Sequence, residues 1–271
     1  MVPKRYRIAL IRAFLRYSQK LDRKSRAIVA GLHPFMDRAM PWWIVGWLAL
    51  ASLRLSSMRI QPVNLADWGS AFLPYAMIAL APVIGFRLAT AAFPEGEEKW
   101  DPQFRLAVVG RWKDVDRQTA RRHKMFGPVG FMTSLLIGLL LNVVVRSAEF
   151  LLAVPAVTMS GPDWAQAIFL AMAFEVVAMN FLYVVCFVMA LRTIPLFPRM
   201  LALTWLFDIV IQMSTASVVA AQEELPRDVA VALIDLLQGN ITKVLISVLI
   251  WLPYLLLSDR VNVTYRNRVA S

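Results

Sequence analysis

The sequence predicts an all-α polytopic bundle of six transmembrane helices with both termini in the cytosol. Three observations predict it. Of 271 residues, 59% are apolar and 17% are charged, against roughly 45–50% and about 25% in soluble domains. The apolar excess is gathered into runs of roughly 17–26 residues, long enough as helix to cross a hydrocarbon core of about 30 Å. The basic residues fall in alternate connections, as the positive-inside rule requires. Mean hydropathy is +0.58. This composition excludes a soluble enzyme, and the alternation of an outer-membrane barrel is missing.

Residues 1–40 form a basic arm carrying ten Lys and Arg residues. Within it Ile8, Leu10, Ile11, Phe14, Leu15 and Tyr17 fall largely on one helical face, with Arg5, Arg12, Arg16 and Gln19 opposite. Two readings stay open: a helix lying in the membrane interface, or one packed on the cytosolic ends of the other helices. So long a basic stretch before the first apolar run does not resemble a cleaved signal peptide.

Six apolar segments follow, read as helices because lipid tolerates no open strand edge. They are Pro41–Met58, which holds Arg54; Ala71–Phe93, interrupted by Pro74, Pro82 and Arg87; Phe126–Val145; Ala165–Leu191; Met200–Ala221; and Ile241–Leu257. The domain plan is thus a basic arm (1–40), a transmembrane hairpin (41–93), a charged cytosolic loop (94–125), a four-helix membrane domain (126–258) and a cytosolic tail (259–271). Residues 114–124 of the loop are helix-compatible and dense in charge.

Charge counting orients the segments. With the N-terminus cytosolic, the cytosolic parts hold 23 Lys and Arg, against three opposite, Arg59, Arg146 and Arg227. Trp42, Trp43 and Trp47 at the inner end of the first segment, and Trp68 and Trp164 at outer ends, take interface positions. The connection 222–240, with Glu223, Glu224, Asp228 and Asp235 against Arg227, suits the outer side. A net charge of +11 reads here as basic loops meeting anionic lipid head groups, not as a nucleic-acid surface.

The inventory for chemistry is thin. Cys186 stands alone inside an apolar run, so no disulfide and no paired-cysteine metal site forms. His33 and His123 lie outside the spans. No hydrolase, metalloprotease, phosphate-loop or dinucleotide motif occurs, so no catalytic residue, metal or cofactor is assigned. Ionisable residues within the spans carry more information, because a charge in the bilayer core costs at least about 2.5–3.5 kcal/mol and finds a partner or water. At 1.5 Å per residue, Arg87 and Asp208 lie about 9 and 12 Å from the inner ends of their segments. Arg54 and Glu175 fall in the outer half. Arg87–Asp208 and Arg54–Glu175 are therefore the expected interhelical ion pairs. They fix helix packing, or Glu175 and Asp208 line a proton or solute path; Asn142, Asn180 and Gln212 lie nearby.

The C-terminal end reads Trp251-Leu-Pro253-Tyr254, then Ser258-Asp-Arg260-Val261 and Thr264-Tyr265, and a short inner loop reads Phe197-Pro198-Arg199. This resembles the bacterial four-helix membrane family known as domain of unknown function 2569, over roughly residues 126–266. Two further segments and the basic arm depart from that family's plan. The resemblance implies an integral protein of the bacterial inner membrane and no particular activity. The same residues also read as an anchor: Pro253 loosens the last turn, Trp251 and Tyr254 sit near the head groups, and Arg260, Arg266 and Arg268 hold the end in the cytosol. The function expected is a non-catalytic accessory or scaffold protein binding a membrane-protein partner or lipid. The alternative is a small proton-coupled transporter or channel using Glu175 and Asp208.

Overall fold

The computed structural model describes residues 4–58, 64–94, 110–158 and 161–271, with side chains described from residue 22 onward. The described chain is a helical bundle. Its elements are α1 (Lys4–Ser56), α2 (Leu65–Ala92), β1 (Trp112–Asp114), α3 (Arg117–Arg122), α4 (Phe131–Ala153), α5 (Asp163–Leu191), α6 (Phe197–Ala220), α7 (Arg227–Leu257), α8 (Asp259–Arg266) and β2 (Arg268–Ala270). Among the described residues, α2, α4, α5, α6 and α7 are long and apolar enough to cross a membrane.

Helix α5 is the axis of the bundle. It packs on α2, α4 and α6, while α1 leans on α2 and α4, and α7 packs on α6 and α8. The α2–α5 contact is close enough that a Cβ on Gly85 would stand 3.0 Å from the Phe181 carbonyl oxygen. The apolar core falls into two parts. One gathers around Phe86, Met132, Phe187, Phe197 and Tyr265, the other around Tyr75, Phe150 and Phe169. Near the second, Trp43 and Trp47 are stacked 5.7 Å apart. They donate to the α2 carbonyls of Ala79 at 3.0 Å and Tyr75 at 2.9 Å. Of the three tryptophans expected at the inner interface, only Trp42 is exposed; the other two tie α1 to α2.

Four expected boundaries are corrected. No break separates an arm from a first span: α1 runs unbroken through Pro34 and Pro41 for 53 residues, about 80 Å at 1.5 Å per residue. Side chains of the amphipathic stretch 4–17 lie outside the described residues; in 22–40 one face packs on the bundle, with Ser25, Leu32 and Met40 buried. Helix α4 begins at Phe131 rather than Phe126. Gly127 and Gly130 hold φ of +98° and +66°, which an L side chain resists, and Thr133 donates to the Pro128 carbonyl at 3.1 Å. The whole helix is thereby displaced toward Ala153. Helix α7 begins at Arg227, so most of the connection 222–240 is helical. The tail is not free either: β2 pairs antiparallel with β1 of the loop.

These last elements cap one end of the bundle, here termed the basic end. Asp116 caps α3, its side chain accepting from the Thr119 amide at 3.0 Å, and that bond holds its carboxyl below the usual range. Tyr265 of α8 donates to the Ala190 carbonyl of α5 at 2.8 Å. Thr264 accepts from the Gly127 amide at 3.0 Å. Arg192 donates to the α2 carbonyl of Thr90 at 2.6 Å and to that of Phe93, a cationic cap on that helix's last turn. Arg266 is held down to about 10 by burial and by Arg268 and Arg199 nearby.

Candidate polar site in the membrane bundle

Between the two parts of the core lies a buried polar cluster. Arg146 of α4 reaches across to both neighbouring helices. Its Nη2 donates to Asp208 Oδ2 of α6 at 2.8 Å, and its Nη1 contacts Glu175 Oε1 of α5. Tyr183 of α5 donates to the same Asp208 oxygen at 2.7 Å, and its ring lies 5.9 Å from the guanidinium carbon. Gln212, one turn beyond Asp208, donates through Nε2 to Glu175 Oε1 at 2.7 Å. Asn180 donates to Ser147 at 2.8 Å. Asp208, Asn180, Gln212 and Ser147 are wholly inaccessible. Two carboxylates thus face one guanidinium, and the cluster joins α4, α5 and α6 by charge-assisted bonds where water cannot compete.

A cleft of about 240 Å³ runs beside it between α4 and α7, lined by Asn142, Arg146, Glu149, Tyr183, Asn240 and Lys243 among others. Lys243 of α7 spans the cleft to Glu149 and also donates to Asn240 at 3.2 Å. Aromatic rings close it toward the basic end, where Phe131 stacks on Trp251 at 4.6 Å and meets Tyr254 at 5.1 Å. Glu175 and Asp208 do not line the cleft; Arg146 and Tyr183 stand between them and it.

The two expected ion pairs do not form. Arg87 is largely exposed at the basic end, 3.2 Å from Asp37 of α1, which also meets His33 Nδ1 at 3.3 Å. Arg54 donates to the Val154 carbonyl at 3.3 Å and lies beside the Tyr75 phenol. Both acids are claimed instead by Arg146, which the charge count assigns to the outer side. The displacement of α4 brings it inward. A signal for this existed: after Arg146-Ser-Ala-Glu149 the apolar run resumes as Phe150-Leu-Leu-Ala-Val154, and a helix read to that point encloses Arg146.

The family-like motif residues gather at the basic end, away from the cluster. Phe197 is buried 5.2 Å from the Tyr265 ring, and Pro198 sits in the first turn of α6. Trp251 and Tyr254 flank Phe131, and Pro253 lies within the last turns of α7. Ser258 ends α7 and begins α8, Val261 is buried, and Arg260 pairs with Asp22 of α1 at 2.9 Å. The motif therefore forms the corner at which α7 turns and docks its tail. Cys186 lies 3.3 Å from the Thr204 hydroxyl in the core, and His123 accepts from the Met125 amide at 3.2 Å. No family model, curated protein or solved structure matches the chain.

Proposed function

We propose that the chain is a non-catalytic accessory or scaffold protein of the bacterial inner membrane. It crosses six times, keeps both termini in the cytosol, and binds a membrane-protein partner or lipid through α7. Support for the sixth crossing comes from Trp43 and Trp47, which bind the 41–56 part of α1 along α2. Support for the orientation comes from charge. With Arg146 inside the bundle, only Arg59 and Arg227 of the 29 basic residues remain on the outer side.

One observation carries the binding role. Helix α7 has α6 and α8 as neighbours, stands off α4 along the cleft, and turns Leu245, Ile246, Leu249 and Ile250 outward. Photo-crosslinking residues placed at Leu249 and Ile250 in cells should trap one discrete protein or lipid species, and the same residue at Leu80 or Leu88 of α2 should not. Equal, diffuse crosslinking from both helices would overturn the scaffold reading.

A second reading, ion-coupled transport, draws on one different observation. Glu175 and Asp208, expected in separate pairs, meet at a single guanidinium beside a cleft. A substrate- or ion-linked flux in vesicles that Asp208→Asn abolishes, with the melting behaviour kept, would favour it over the scaffold.

A further inference from the structure

The structure assigns a phosphoryl-binding site to the basic end, in the pocket where α3, the turn from α5 to α6 and the end of α8 meet. Arg117, Arg121 and Arg192 supply its charge, with Thr193 and Thr264 as neutral donors. The site uses no residue of α7 or of the buried cluster, so it stands apart from both functional readings.

The first observation is a gathering of cations without a counter-charge. The three arginines line one pocket, and no Asp or Glu among the described residues lines it with them. Arg117 and Arg121 lie one turn apart on α3, a spacing at which like charges repel. Neither guanidinium bonds or pairs with a described residue. Asp116, beside Arg117 in sequence, accepts from the Thr119 amide instead. Arg192 spends Nη1 on the α2 carbonyls, and its Nε has no partner. Asn267, which also lines the pocket, stands between Arg266 and Arg268. Burial, Arg268 and Arg199 hold Arg266 down to about 10, so this end of α8 adds cations rather than a counter-charge.

The second observation is a strained turn that keeps a hydroxyl. At the end of α5 the Ile194 amide donates to the Met189 carbonyl at 2.9 Å and the Thr193 amide to the Ala190 carbonyl at 3.2 Å. That pattern ordinarily places glycine at the left-handed residue. Here the residue is Thr193, at φ +55°, where a β-branched side chain is strained. Thr193 lines the pocket, and its hydroxyl bonds to no described residue. Glycine would ease the turn and leave the pocket one donor short. Thr264 accepts from the Gly127 amide at 3.0 Å, which leaves its hydroxyl proton to donate. Size and charge then select the ligand. The pocket holds about 30 Å³, where a water needs roughly 10–15 Å³. That admits two or three oxygen atoms and no lipid or nucleotide body, so the ligand enters by a terminal group. Guanidinium forks match phosphate oxygens. A phosphate monoester, at about −1.5 to −2, answers three unbalanced cations better than the single charge of a carboxylate.

The test uses the full chain purified in a mild neutral detergent. Its thermal unfolding midpoint is followed as sodium phosphate replaces sodium chloride at constant ionic strength and mildly alkaline pH. A ligand held by the folded state alone raises the midpoint in a saturable way, whereas the general stabilising action of phosphate salts grows without saturating. In a second arm, phosphatidic acid or phosphatidylcholine is added to the same micelles at low mole fraction. A saturable rise with phosphate and none with phosphatidic acid means a soluble phosphorylated ligand. A rise with phosphatidic acid and none with phosphatidylcholine means a lipid head group. The double variant Arg117→Gln, Arg121→Gln should abolish either response, and it removes no contact among the described residues. Thr193→Gly should leave the phosphate-free midpoint at or above that of the unaltered chain. It should also move half-saturation up by about tenfold, the loss of one bond to a charged group. Lys124→Gln, exposed and outside the pocket, should respond as the unaltered chain does. Midpoints that ignore both phosphate and phosphatidic acid would overturn the site. They would do so even if changing Glu95, Glu97 and Glu98 to Gln then revealed binding, because the chain's own acids would be the occupants. A response that survives the double variant, or that Lys124→Gln weakens equally, would overturn it too. The α7 crosslinks read a different surface, so the two proposals fail separately.

Discussion

Replacing Arg146 by Met tests whether the buried cluster or the apolar packing holds α4, α5 and α6 together. Methionine keeps most of the volume and removes the guanidinium. It leaves Glu175 and Asp208 on adjacent helices with Tyr183 and Gln212 as their remaining donors. Breaking a buried pair from one side costs about 3–5 kcal/mol. At roughly 3 °C per kcal/mol for a chain of this size, the midpoint should fall by about 9–15 °C. Adding Glu175→Gln and Asp208→Asn removes the stranded charges, and most of the loss should return, because a buried ion pair is worth little against neutral groups of similar shape. Arg87→Met is the internal control. Its partner Asp37 is 3.2 Å away, but the Arg87 side chain is 63% exposed, so the loss should stay within about 1 kcal/mol. Unfolding followed by tryptophan fluorescence in detergent gives all three values. An Arg146→Met midpoint no lower than that of Arg87→Met would refute the central place given to the cluster. A triple variant no more stable than Arg146→Met would show that stranded charge is not what the single change exposes.

Three further outcomes are expected. Cysteine at Lys113 should be shielded from an impermeant thiol reagent in intact cells and cysteine at Glu223 should label; the reverse pattern overturns the orientation. Tyr265→Phe should cost about 1 kcal/mol by stripping the donor from the Ala190 carbonyl, measured by the shift in unfolding midpoint against the unaltered chain. Asp22→Arg should loosen the docked corner, and the exchange Asp22→Arg with Arg260→Asp should restore it, which limited proteolysis after α7 reads directly; equal cleavage in the single and exchanged variants would break the assignment.

The helical membrane bundle was legible because it rests on many residues at once. Five long apolar runs survive any error of a few residues at their ends, and their charge asymmetry is large. The position of Arg146 was not legible in the same way. It depended on the two ends of one helix, and the sequence signals there are local: Gly127-Pro128-Val129-Gly130 reads as well inside a membrane helix as before one, and Arg146 and Glu149 interrupt the apolar run before Phe150 resumes it. The shift of α4 by five residues at its start and eight at its end reassigns both acids from Arg87 and Arg54 to a third cation. The docking of the tail was hidden for another reason. Arg260, Arg266 and Arg268 look like an exposed basic anchor, yet Arg266 and Arg268 share the Asn262 side chain at 3.1 and 2.9 Å. Arg268 also lies over the Trp112 ring at 5.6 Å. Long cationic side chains bury their stems while keeping the head bonded, and composition alone does not reveal which of them do so.

The arrangement also separates what is fixed from what can move. Helices α4, α5 and α6 share the charged cluster, and α2 is locked to α5 by the close approach at Gly85. Helix α7 takes no part in that cluster. Across the cleft from α4 it is held by the Lys243–Glu149 pair, whose side chains are 51% and 29% exposed, and by the rings of Trp251 and Tyr254 on Phe131. An exposed pair contributes about 1 kcal/mol at most, and aromatic contacts contribute roughly 0.5–1.5 kcal/mol each beyond burial. The aromatic contacts sit at the basic end, beside the corner where Ser258 joins α7 to the docked α8. The opposite half of α7 is held by burial instead, with Leu233 and Leu237 in the second part of the core, so the middle of the helix along the cleft has the weaker hold. A displacement of that middle stretch, around Lys243 and Ser247, would widen the cleft in front of Arg146 and Tyr183 without breaking a bond inside the cluster. Local opening follows the weakest set of contacts. A partner seated on Leu249 and Ile250 would restrain this helix, and a transported solute would have to move it. Exchange of the α7 amides, compared with those of α5, is where the two functional readings diverge. Protection of α7 that rises when the crosslinked partner is bound supports the scaffold. Protection that is high in the isolated chain removes the opening that transport requires.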